Sequence, residues 1–109
     1  MIGITVTKGS EGIECVEIKG HAGYAKYGKD IVCSAVSAIA QTALMGLMEI
    51  SAKKVDFVKD DETGYLKFCA PKAESETERI KQQAILETMV LGLKDIQKGY
   101  KAFVKVEVR

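Results

Sequence analysis

The feature that most constrains this chain is the run Ile31–Ile50, IVCSAVSAIAQTALMGLMEI, which carries no charge before Glu49. A helix of that length spans about 30 Å, close to the apolar thickness of a bilayer. It must therefore cross a membrane or be covered by the rest of a fold. Ser34, Ser37, Gln41 and Thr42 interrupt its apolar character, and Lys29 and Asp30 stand directly at its start. The expectation is a helix buried on most sides within a small domain, with no membrane partner. Asp30 is a good N-cap for it.

Around this helix the chain divides into short alternating segments. Residues 1–8 and 13–19 are rich in Ile, Val and Thr, with Gly9, Ser10, Glu11 and Gly12 between them, which predicts a β-hairpin. A second hairpin is predicted from residues 54–59 and 64–70 around the acidic turn Asp60-Asp61-Glu62-Thr63. Ser75-Glu76-Thr77-Glu78 has the S-x-x-E form of a capping box. It opens a second helix, carrying Ile80, Ala84, Met89, Leu91 and Leu93 among charged positions, that runs to about Lys98 with Gly99 as its C-terminal cap. Residues 101–109, KAFVKVEVR, alternate as a half-buried strand. The order β-β-α-β-β-α-β predicts an α+β fold: a two-layer domain whose largely antiparallel sheet carries both helices on one face. Residues 1–109 read as a single domain.

Bulk properties narrow the function classes. A net charge of +1 gives no general pull toward nucleic acid or anionic lipid. The opening MIGITVTKG lacks the build of a secretory signal. Three cysteines, Cys15, Cys33 and Cys69, are an odd number and form no disulfide framework by spacing. Cys15 and Cys69, inside strands, read as small hydrophobes, and a reducing, cytoplasmic setting follows.

The chemistry concentrates in GHAGYAKYGKD, residues 20–30. GYAKYGKD falls one residue short of the phosphate loop G-x-x-x-x-G-K-[ST], but Asp30 puts a negative charge where a magnesium-binding hydroxyl belongs. The alternation of strands and helices needed for a parallel nucleotide-binding sheet is also missing. No cofactor is expected. The four possible zinc ligands, His21 and the cysteines, lack metal-binding spacing. Lys53-Lys54 and Lys26/Lys29, with tyrosines nearby, leave an RNA-binding module as an alternative, without an RNA motif to support it.

A cysteine nucleophile fits better. With Asp30 as N-cap, Cys33 falls in the first helical turn, near unpaired N–H groups and the positive end of the dipole. The dipole contributes ~0.3–1 kcal/mol, about 2 at most when buried, against ~1.36 kcal/mol for each pKa unit. It cannot ionise a thiol at neutral pH unaided, and His21 is the one imidazole in the chain. Ser37 lies one turn beyond Cys33 on the same face. The backbone N–H of Cys33, with a neighbouring amide, is an expected oxyanion hole. Gly20, Gly23 and Gly28 would let the loop open and close over a substrate.

The residues Gly20-His21-Ala22-Gly23-Tyr24 and Gly28-Lys29-Asp30-Ile31-Val32-Cys33-Ser34-Ala35-Val36-Ser37 resemble the signature of the ribosomal-processing cysteine protease Prp family. The resemblance extends over nearly the whole chain. It implies an endopeptidase that removes the N-terminal extension of large-subunit ribosomal protein bL27, after an aromatic pair, before ribosome assembly. It implies a homodimer, with Cys33 as nucleophile, His21 as its partner, and Asp30 and Ser37 as supporting polar positions. Gly20, Ala22, Gly23, Tyr24 and Gly28 would form the substrate loop. The alternative is a non-catalytic, ribosome-associated module on the same fold.

Overall fold

In the computed structural model, which describes residues 1–26 and 30–109, five strands and two helices follow in the expected order. They are β1 (Ile2–Gly9), β2 (Gly12–Lys19), α1 (Ile31–Ile50), β3 (Phe57–Asp60), β4 (Tyr65–Cys69), α2 (Glu76–Gly99) and β5 (Val104–Val108). β3 and β5 are shorter than their sequence patterns suggest, and β5 is preceded by a turn at residues 101–103.

The strands form one sheet in the order β3-β4-β2-β1-β5. Three pairings are antiparallel, and β5 joins β1 in parallel. The sheet is therefore mixed but mostly antiparallel. Strand alternation sorts its two faces. Ile2, Ile4, Val6, Val16, Ile18, Leu66, Phe68 and Val104 are buried in the same core as the helix residues Val32, Val36, Ala40, Leu47, Leu86, Met89 and Leu93. Thr5, Glu17, Lys67 and Lys105 fall at the alternate positions, on the other face.

By length and composition α1 is apolar enough to cross a membrane. In this fold it contributes one buried stripe, Val32, Val36, Ala40, Ala43, Leu44 and Leu47. The expectation of burial on most sides is too strong, because Ile31, Met45 and Met48 are exposed. The two helices run antiparallel and mesh through small residues. A Cβ at Gly46 would lie 3.3 Å from Ile85 Cδ1, and one at Gly92 would lie 3.2 Å from Ile39 Cδ1. Each glycine thus receives an isoleucine from the other helix.

α2 departs from its sequence reading in two ways. Met89 and Leu93 are buried as expected, but Ile80, Ala84 and Leu91 face outward, while Gln82, Leu86 and Val90 take core positions. Only half of the capping box forms. Ser75 Oγ accepts from Glu78 N at 3.1 Å, whereas the Glu78 carboxylate receives Glu74 N and Gln82 Nε2. Gly99 is the last helical residue and Tyr100 the C-cap.

Cys15 and Cys69 also require correction. They are register partners on β2 and β4, their Cα atoms 4.0 Å apart, and they form a disulfide. Their spacing gave no sign of this, because residues 54 apart become neighbours only through strand pairing.

Candidate active site

Asp30 shows how the sequence builds the site. It is 4 % exposed and caps α1 with Oδ1, which accepts from Val32 N and Cys33 N, both at 3.0 Å. Its Oδ2 accepts from Tyr24 N at 3.0 Å and Ala25 N at 3.4 Å. One carboxylate therefore ties the helix start to the loop that carries His21. Burial alone would raise its pKa, but the N–H groups of Cys33, Ala25 and Tyr24 outweigh this and hold it below the ordinary carboxylate value.

Cys33 lies in the first turn of α1 with a free thiol. Its Sγ accepts from the backbone N–H of Ala22 at 3.2 Å. Burial pushes the thiol above its usual pKa; the Ala22 N–H opposes the rise, and the adjacent Asp30 carboxylate adds to it. The net direction is upward, so the site as it stands favours the protonated thiol over the thiolate. The expected oxyanion donor is already engaged: the Cys33 N–H donates to Asp30, and the Ala22 N–H donates to the sulfur itself.

His21 and Cys33 line the same groove, a cavity of about 690 Å³. α1 contributes Cys33, Ser34, Ser37 and Gln41; the loop contributes Gly20, His21, Gly23 and Ala25; and the β3–β4 turn contributes Asp60, Asp61, Glu62 and Gly64. Ile2, Ile18 and Leu66 add apolar surface from the sheet. The groove thus joins an apolar floor to a rim of polar and acidic groups.

The remaining sequence candidates divide. Ser37 faces the groove and accepts a hydrogen bond from Gln41 Nε2. Gln41 was not anticipated, although the spacing 33, 37, 41 puts it on the same helical face. Ala22 is buried at 3 % exposure, with its N–H on the sulfur. Tyr24 is not a groove residue. Its ring packs edge-on against Tyr100 and Phe103, at centroid distances of 5.6 and 5.2 Å, anchoring the loop to the end of α2. Gly28 and Lys29 lie outside the described residues. Glu62 and Gly64 carry no local motif and enter the site only through the fold. Among the described residues, no cluster of three or more His, Cys, Asp or Glu stands ready to hold a metal.

Comparison with known proteins gives the same family from three directions. The model of the family described as cysteine protease Prp matches residues 1–105. The ribosomal processing cysteine protease Prp of Bacillus subtilis is 29% identical over 107 residues, covering 97% of this chain and 96% of the relative. A crystal structure of an essential ribosomal processing protease Prp from S. aureus, with a covalently linked product peptide, superimposes with a TM-score of 0.87 at 26% identity. A structure of an S. aureus Prp with a substrate peptide gives a TM-score of 0.80 at 26% identity, and in both cases the match covers 100% of each chain. With a free cysteine in a groove that also holds the one histidine, and a family match over residues 1–105, this chain belongs to the cysteine protease Prp family and is a cysteine protease.

Proposed function

We propose that this enzyme removes the N-terminal extension of the large-subunit ribosomal protein bL27 precursor, with Cys33 as nucleophile and His21 as general base and acid. The observation that carries the reading is the free Cys33 thiol at the helix start, held by the Ala22 N–H in the groove that His21 also lines. Because the thiol pKa is raised, a base must take the Sγ proton for sulfur to attack. His21 takes it, giving thiolate and imidazolium; the S–C bond then forms, and His21 delivers the proton to the leaving amine as the C–N bond breaks. A water gives its proton to His21, attacks the thioester and releases the acid, and the proton returns to sulfur. Asp30 holds helix and loop together, while Ser37 with Gln41 offers polar contacts to the peptide.

The enzyme acts as a homodimer in the cytoplasm, where ribosomal proteins are made. Exposed Ile31, Met45, Met48 and Leu91 on the helices support a partner that covers them. Met45→Lys should then halve the mass seen by light scattering; an unchanged dimer would remove that face from the interface.

The deciding measurement is mass spectrometry of a peptide copying the extended bL27 N-terminus. Wild type should make a single cut after the aromatic pair, and Cys33→Ala and His21→Ala should make none. Cutting by Cys33→Ala would end the assignment of the nucleophile.

A further inference from the structure

The β3–β4 turn contacts His21 from a part of the chain that carries no motif. His21 Nε2 lies 2.9 Å from the backbone carbonyl of Glu62, a residue 41 positions away in the chain. Next to it, Gly20 N donates to Gly64 O at 3.0 Å, so the turn and the histidine loop are joined backbone to backbone. Gly64 has φ +67, and a Cβ there would stand 2.4 Å from Gly20 O and 3.1 Å from His21 Cε1. No L side chain fits without moving the loop or the ring. The turn itself is fixed by Asp60 Oδ1, which accepts from Glu62 N at 3.0 Å and Thr63 N at 3.4 Å.

A carbonyl oxygen only accepts, so this contact requires the proton on Nε2. The lone pair of the neutral ring is then on Nδ1. Resting on the assignment of His21 as the base, we propose that the β3–β4 turn is its positioning element: the Glu62 carbonyl fixes the Nε2–H tautomer, Nδ1 exchanges protons with Cys33, and Gly64 is the residue whose missing side chain allows this approach. In the reaction the Sγ proton passes to Nδ1, giving thiolate and imidazolium. The Nε2 proton stays on Nε2, hydrogen-bonded to the Glu62 carbonyl, throughout. Nδ1 then releases its proton to the leaving amine, and the cycle repeats with water.

The chain has a single histidine, which makes the test direct. Protein labelled with ¹⁵N-histidine gives one imidazole, and its one-bond couplings report which nitrogen is protonated. The neutral ring of the wild type should carry its proton on Nε2. Gly64→Ala should lose that preference and lower kcat by about 10- to 100-fold, as expected for a misplaced base, with KM little changed. Gly12→Ala controls for backbone strain, since Gly12 has φ +115 at the distant β1–β2 turn, where the nearest atoms to a Cβ belong to the Gln83 side chain. It should keep both the tautomer and kcat. A proton found on Nδ1 in the wild type overturns the proposal, as does a folded Gly64→Ala enzyme with undiminished kcat. If Gly64→Ala does not fold, the wild-type spectrum decides alone. Loss of cutting in His21→Ala together with an Nδ1–H ring would sink this inference and leave the base assignment standing; full cutting by His21→Ala would sink both.

Discussion

A single buried carboxylate contributes to the character of the nucleophile, after burial itself. Asp30 accepts four backbone N–H groups, two from α1 and two from the histidine loop. Asp30→Asn keeps the shape, but its amide must turn N–H₂ toward donors on one side or the other, leaving two of them unmatched. We expect a loss of about 1–3 kcal/mol, measured by denaturant unfolding near neutral pH. The sign of the pH dependence follows from the depressed folded pKa. The stabilisation is present above the unfolded carboxylate value and is lost as pH falls through the lower folded one. The difference between wild type and variant should therefore shrink in acid. Removing the charge also removes one cause of the raised Cys33 pKa, so alkylation of Cys33 in Asp30→Asn should shift to lower pH. An unmoved alkylation profile would show that Asp30 does not govern the thiol. Asp30 was legible in the sequence, as a cap residue directly before an apolar run. Its second task was not, because no local pattern tells which loop will present its N–H groups to the outer oxygen. The same holds for the Cys33 N–H, an expected oxyanion donor that the cap consumes.

At the scale of elements, α2 docks through glutamines. Gln83 pairs with the backbone of Ile13 in both directions, Oε1 accepting from N at 2.8 Å and Nε2 donating to O at 2.9 Å. Ile13 lies beside a register shift in the β1–β2 ladder and beyond the β2–β4 pairing, which begins at Cys15. Gln82, 3 % exposed, reaches Ser51 Oγ and Pro71 O, and Gln97 Oε1 accepts from Val106 N on β5. Gln83→Met preserves length and helix propensity but leaves one donor and one acceptor of Ile13 unmatched. The expected cost is about 1–3 kcal/mol for each group left buried, read as a lower unfolding midpoint with peptide cutting intact below it. A midpoint equal to wild type would mean that water replaces the amide without loss. The elements themselves were legible because apolar periodicity and cap residues are local signals. Which polar residues of α2 face inward was not: Gln82 and Gln83 stand among charged positions, and their partners, Ser51 and Pro71 for the first and Ile13 for the second, lie outside the helix. The exposed Ile80 and Leu91, expected among the apolar positions of the helix, are the counterpart.

For the whole molecule, the sheet separates catalysis from the cysteine pair. Alternation puts Val16 and Phe68 in the core, so Cys15 and Cys69, one step along each strand, lie on the opposite face. The thiol of Cys33 belongs to the helix side and remains free. The bond closes a loop of 54 residues, which the chain-entropy account values at about 4 kcal/mol. Yet the β2–β4 ladder pairs Glu17 with Lys67 and Ile18 with Leu66 beside it, and Ala70 N donates to Glu14 O just past the pair. The register is thus fixed by backbone hydrogen bonds and the apolar face, and the fold does not require oxidation. Cys15→Ser/Cys69→Ser should therefore unfold at lower denaturant, by about 2–4 kcal/mol, yet cut the peptide as the wild type does. Wild type in reductant should match the variant in both respects. Such a result would make the site independent of the bond that stabilises the oxidised form. A double variant that folds but no longer cuts would mean that the two faces are coupled through β4, whose first residues, Tyr65 and Leu66, also line the groove.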